Sequence, residues 1–134
     1  MRVKLTQKDL HGSLVRDIET LSEQILLACN QCGRCSAGCP FADEMDVLPN
    51  QVIRLAQLGQ KHVLGSRAPW FCAACLTCQT RCPKGVDIPR LMEAIRELAL
   101  RSGEAPLSPA DIEPELLTGA PQMAIVGALR KAGG

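Results

Sequence analysis

The stretch CNQCGRCSAGCP, residues 29–40, packs four cysteines into eleven positions and closes on a proline. A second stretch, CAACLTCQTRCP at residues 72–83, repeats the spacing with no residue added or lost. Written out, Cys29-x2-Cys32-x2-Cys35-x3-Cys39-Pro40 recurs as Cys72-x2-Cys75-x2-Cys78-x3-Cys82-Pro83, and these are all eight cysteines of the chain. Three thiols at this spacing reach three corners of one cubane as the chain curls. The fourth stands one residue further on, is followed by proline and turns away; in two-cluster proteins it ligates the other cluster. The spacing therefore predicts two [4Fe–4S] clusters with crossed ligation. Cluster I takes Cys29, Cys32, Cys35 and Cys82. Cluster II takes Cys72, Cys75, Cys78 and Cys39. Each cluster then ties the two motifs together, so binding it contributes folding free energy.

Other uses of the thiols fit less well. A zinc ribbon also uses CxxC pairs, but it has no role for a third cysteine two residues on. A disulfide framework suits neither this compressed spacing nor a reducing compartment. A thioredoxin-like CxxC needs a βαβ context that the sequence lacks. The residues between the ligands suit a cluster. Gly33 and Gly38 allow the backbone close to inorganic sulfur. Arg34, Arg81 and Lys84 are either compensating charges for a reduced cluster or solvated surface charges. Trp70 and Phe71, just before Cys72, are expected to shield cluster II from water.

The bulk composition narrows the class. A chain of 134 residues suits one domain with a tail. Phe41, Trp70 and Phe71 are the only aromatics, so aliphatic side chains, helped by a bulky cofactor, must fill the interior. A net charge of +1 does not point to nucleic acid or to an anionic membrane. The opening MRVKLTQKDL has no secretory apolar run, and no stretch approaches the ~18 apolar residues that span a bilayer. A cytoplasmic location is expected. His11 and His62 stand apart from any acidic partner pattern and read as surface or packing residues. No dinucleotide fingerprint, P-loop, or nucleophile with an attendant base is present.

Periodicity predicts a mainly helical chain. Leu10, Leu14, Ile18, Leu21 and Ile25 mark one face of a helix over residues 7–25. Thr6 and Asp9 are placed to cap it, and Gly12 moves the expected start toward Ser13. A second helix is expected within residues 43–60. Pro49 falls in its first turn, Leu48, Val52, Leu55 and Ala56 form its stripe, and Gly59 ends it. Asp43, Glu44 and Asp46 read as its solvated start. Asp87 caps a third helix ending at Gly103, with Ile88, Leu91, Met92, Ile95, Leu98 and Ala99 buried. From Glu104 on, Pro106, Pro109, Pro114 and Pro121 predict an irregular arm with a last short helix near residue 121. The expected division is 1–103 for the cluster domain and 104–134 for the arm.

These residues carry a family likeness. The 32 residues from Pro40 to Phe71 read as helix, where a small two-cluster ferredoxin is β-rich. This resembles the α-helical ferredoxin domain of succinate dehydrogenase iron–sulfur subunits, which carry a three-iron cluster there and depart from eight cysteines. The pieces NQCGRCSAGCP, VLPNQVIRLAQLG and PWFCAACLTCQTRCPKGVDIPRLMEAIRELA resemble the C subunit of heterodisulfide reductase most. The likeness covers roughly residues 20–103 and implies an all-α ferredoxin fold. It also implies a role: relaying electrons between the family's A subunit, a flavin and iron–sulfur protein, and its catalytic B subunit, which has CCG motifs and noncubane clusters. This chain has no CCG motif, so disulfide chemistry would fall to its partner. The family includes methanogen members acting on the coenzyme M–coenzyme B heterodisulfide and bacterial relatives in sulfur metabolism. Ten arginines against five lysines favour a bacterial setting. A free soluble ferredoxin is the alternative, and a cluster-based sensor a third. The proline-broken arm favours a protein that drapes over a partner within a complex, and no basic recognition helix favours a sensor.

Overall fold

The structure, a computed structural model, describes residues 12–103 and 109–132. The elements are α1 (Ser13–Ser22), α2 (Arg34–Ala37), α3 (Pro49–Gln57), α4 (Ala68–Phe71), α5 (Thr77–Arg81), α6 (Ile88–Arg101), α7 (Pro114–Gly119) and α8 (Gln122–Ala132). Short 3-10 turns at Leu26–Ala28, Ala42–Glu44, Lys61–Val63 and Pro109–Asp111 lie between them. Among the described residues there is no strand, so the fold is all-α as the periodicity predicts. No helix among them is long and apolar enough to cross a membrane. The chain divides into two compact units, Met1–Leu98 and Ala99–Gly134.

In the first unit, Leu14, Val15 and Ile18 of α1, Val52, Ile53 and Ala56 of α3, and Ile88, Leu91, Met92 and Ile95 of α6 share one core with Leu26 and Val63. Helix α1 packs on α3, and α2 packs on both α3 and α5. Helix α1 starts at Ser13 but stops three residues short of Ile25. The Ser22 hydroxyl donates back to Ile18 O at 2.6 Å, and Glu23 turns left-handed (φ 55°). Ile25 is left 69% exposed, and Leu26 takes the buried place expected of it. Leu10, His11 and the Thr6–Asp9 cap lie outside the described residues. His62 is exposed on its 3-10 turn.

Helix α3 begins at Pro49, and Gln51 accepts the Leu48 N–H at 2.9 Å. It is shorter than the expected span because residues 42–44 form a separate turn. Asp46 does not start this helix. Its carboxylate accepts the N–H groups of Arg67 and Ala68, 21 and 22 residues on and each at 2.9 Å, and so caps α4. Asp87 caps α6 as expected, accepting the Arg90 N–H at 3.1 Å, and Gly103 follows its end with φ 83°.

The second unit is more regular than its prolines suggest. Pro114 stands in the first turn of α7, and Pro121 directly precedes α8. Proline at a helix start removes an N–H that would have had no partner, so these residues begin helices rather than break them. Leu116, Leu117, Met123 and Val126 are exposed on this unit.

Candidate metal centre

The two cysteine stretches fold alike. Each is preceded by a helical turn, Leu26–Ala28 or Ala68–Phe71, and each contains a short helix, α2 or α5. Between the first three cysteines the backbone twice turns left-handed, at Gln31 (φ 59°) and Gly33 (φ 77°). The second stretch does so at the same places, Ala74 (φ 53°) and Leu76 (φ 65°). Alternation of this kind turns successive N–H groups inward as a nest for an anion, a feature of many iron–sulfur sites. For a residue other than glycine the left-handed turn costs about 1–3 kcal/mol, so three such residues point to a functional constraint.

Two recesses result, of about 330 and 360 Å³ including their open mouths. Cys29, Cys32, Cys35 and Cys82 line the first, with Ile53, Val86 and Ile88 as its apolar wall. Cys39, Cys72, Cys75 and Cys78 line the second, with Met45, Pro49 and Met92. The fourth cysteine of each stretch thus stands with the first three of the other. Among the described residues no three His, Cys, Asp or Glu side chains converge to grip one ion. The thiols stand around the recess walls instead.

Neighbouring groups support these thiols. The Val86 N–H donates to Cys82 Sγ at 3.3 Å, and Gln31 Nε2 donates to Cys29 Sγ at 3.5 Å. Cys75 Sγ lies 3.4 Å from the Thr77 hydroxyl, which pulls its pKa down. Burial pushes the Cys35 thiol up from its ordinary value. Burial, with the charge of Cys72 adding, pushes Cys78 up to about 11. Without a bound metal these two keep their protons at neutral pH, so loading must displace them. Ser36 of α2 donates to Asn50 Oδ1 at 2.6 Å and accepts the Asn50 N–H at 3.0 Å, fixing the first stretch to α3.

The expected bystanders sort as follows. Arg34 and Lys84 line the first recess. Arg81 instead lies over Gly38, where a Cβ would meet the end of the Arg81 side chain. Gly33 has nothing within 4 Å of where a Cβ would stand and serves by its positive φ. The aromatic in the second recess is Phe41, not Trp70 or Phe71. The Phe71 ring is covered by the Arg67 guanidinium, 5.0 Å from its centroid.

Two buried polar side chains escaped the sequence reading. Gln57 holds the carbonyls of Leu26 and Cys29, and Arg96 holds those of Pro69 and Cys72. The signal was present: each is a polar residue on the apolar stripe of its helix, four positions after Ile53 and Met92 respectively.

Comparison with known proteins agrees with this geometry. Residues 25–86 match the 4Fe-4S dicluster domain family, a span that takes in all eight cysteines. The C subunit of the ferredoxin:CoB-CoM heterodisulfide reductase of Methanosarcina mazei is 37% identical over 78 residues, 58% of this chain and 48% of that protein. The C2 subunit of the H(2)/formate:CoB-CoM heterodisulfide,ferredoxin reductase of Methanococcus maripaludis is 40% identical over 78 residues, covering 58% and 42%. The iron-sulfur C subunit of the CoB--CoM heterodisulfide reductase of Methanopyrus kandleri is 32% identical over 108 residues, covering 74% and 56%. Over the region that carries the cysteines, the chain resembles the C subunits of heterodisulfide reductases. It spans about half the length of the curated relatives it matches. The dicluster domain that residues 25–86 match carries two [4Fe–4S] clusters, and the site fits them with two four-thiol recesses, each having left-handed turns between the first three thiols of its stretch.

Proposed function

We propose that this chain is the electron-relay subunit of a heterodisulfide reductase-like complex. Cys29, Cys32, Cys35 and Cys82 hold one cluster, and Cys72, Cys75, Cys78 and Cys39 hold the other. The observation that carries the reading is the lining of the two recesses, each drawing three thiols from one stretch and one from the other. When bound, each cluster supplies a one-electron redox centre. The protein's part is to hold the pair side by side. Helices α2 and α5, each carrying the third cysteine of its stretch, pack directly together, which keeps the two sites adjacent. Exposed Cys32 and Cys75 open each site to the surface, and exposed Phe41 gives the second site an apolar rim.

The partners in this proposal are a flavin- and cluster-bearing A subunit and a CCG-type catalytic B subunit, which performs the disulfide chemistry. The exposed apolar residues of α7 and α8, Leu116, Leu117, Met123 and Val126, dock the arm on such a partner. The complex works in the cytoplasm. The relatives reported above are archaeal, while ten arginines against five lysines favour a bacterial source, and the proposed setting is bacterial sulfur metabolism. Affinity purification of the tagged chain from its native host, under anaerobic conditions, tests the proposal. The expected companions are a flavoprotein with iron–sulfur motifs and a CCG protein. Recovery of the chain alone, with both clusters intact and reducible, would favour the free ferredoxin instead.

A further inference from the structure

Each cysteine stretch begins beneath a buried side chain that reaches back from the helix following it. Gln57, the last residue of α3 and 5% exposed, sends one amide nitrogen to both Leu26 O (2.7 Å) and Cys29 O (3.1 Å). Arg96 of α6, 4% exposed, sends one guanidinium nitrogen to both Pro69 O (2.9 Å) and Cys72 O (3.2 Å). Leu26 and Pro69 each stand three residues before the first cysteine of their stretch, so the two clamps grip equivalent carbonyls. The grip is the same and the charge is not. A neutral amide does the holding at the first stretch, so the positive charge at the second exceeds what holding requires.

We infer that Arg96 makes the two cluster sites unequal, the site of Cys72, Cys75, Cys78 and Cys39 being the more easily reduced. The inference rests on the relay reading above. Reduction adds a negative charge to a site, and cluster potentials follow net charge, hydrogen bonds to sulfur and solvent exposure. The Arg96 guanidinium is withdrawn from water, where a charge acts on its neighbours with little screening. Its Nε has no hydrogen-bond partner among the described residues. Its ion-pair partner Glu93 has a side chain 67% exposed, so water screens that carboxylate far more than the guanidinium. Apart from its thiols, the lining of the second recess carries no ionisable side chain that could cancel the effect.

The first site has cations of its own, Arg34 and Lys84 in its lining and Arg54, which donates to Gln57 Oε1 at 3.3 Å, but all three are exposed, and charges in water contribute little. It also receives the Gln31 and Val86 donors at sulfur, which are dipoles without net charge. The buried cation outweighs these. An electron delivered to the chain then settles at the second site: the first loses one electron as the second gains it, with no bond made or broken.

The test is an EPR-monitored redox titration of the holoprotein beside Arg96→Gln, Arg96→Lys and Glu93→Gln, with iron content measured for each. Cys75→Ser, which alters one corner of the second site, identifies that site's signal. The unsubstituted protein should show two one-electron steps separated at least tenfold in oxidised-to-reduced ratio, about 59 mV, with the higher step on the Cys75-sensitive signal. Arg96→Gln should lower that step about tenfold and leave the other in place, and Arg96→Lys should restore most of the loss. Glu93→Gln, at an exposed position, should raise the same step about twofold, roughly 18 mV. It decides the matter if Arg96→Gln loses a cluster on purification. Coincident steps, a higher step on the other signal, or a step unmoved by these substitutions would overturn the inference while leaving the relay intact. A protein lacking two reducible clusters would overturn the relay reading itself.

Discussion

Gln31 and Ala74 occupy the same place in two separate turns, and both take a left-handed conformation that side chains avoid. So does Leu76, where the first stretch has Gly33. Equal strain at equal positions, 43 residues apart, points to a shared demand on the backbone rather than to local accident. The pair also makes a residue-scale prediction. Because Leu76 tolerates this conformation and nothing lies within 4 Å of a Cβ at position 33, Gly33→Leu should keep both clusters and cost about 1 kcal/mol. Gly33→Val, β-branched, should cost distinctly more, because such residues are genuine outliers at positive φ. Denaturant-induced loss of cluster absorbance compares the two, and a valine variant as stable as the leucine one would contradict the backbone account. At this scale the grouping of the thiols around the two recesses was legible because thiol spacing is itself the signal. Gln57 and Arg96 were not, because periodicity marks which face is buried but not which polar group on that face finds carbonyls from a distant turn.

At the scale of elements, long apolar stripes read well and their ends did not. Helix α6 was legible from Asp87 to Gly103 because cap, proline and glycine all agreed with the stripe. Helix α1 ended early because Ser22 and Glu23 terminate it, a local hydrogen-bond choice that overrode the continuing pattern at Ile25. Asp46 was assigned to the nearest helix start, whereas tertiary folding delivers it to α4. The crossing of the two stretches gives the prediction proper to this scale. Cys39→Ala should damage the cluster built on Cys72, Cys75 and Cys78, and Cys82→Ala the cluster built on Cys29, Cys32 and Cys35. A vacated corner converts a site to a three-iron form or empties it, and EPR of the oxidised protein resolves which. Damage by Cys39→Ala confined to the cluster of its own stretch would show that ligation is not crossed.

At the scale of the molecule, the first unit contains both recesses, and α7 and α8 belong to the second. Deleting residues 106–134 should therefore leave both clusters and their spectra in place while weakening association with partner proteins and slowing turnover of the complex. Loss of clusters on truncation would place the arm within the cluster-bearing core, and unchanged association and turnover would deny it a docking role. The all-α class was legible from periodicity. The last helix, α8, was expected, but α7 was not, because a proline that opens a helix and a proline that breaks one look alike in sequence. The central claim is that two cubanes sit in two four-thiol recesses, and iron and acid-labile sulfide per chain test it most directly when measured with EPR of the reduced state on anaerobically purified protein. The expected result is a brown protein with about eight irons and about eight sulfides, two cubanes' worth, and signals broadened by interaction between adjacent clusters. A colourless protein holding zinc at full occupancy would contradict the account.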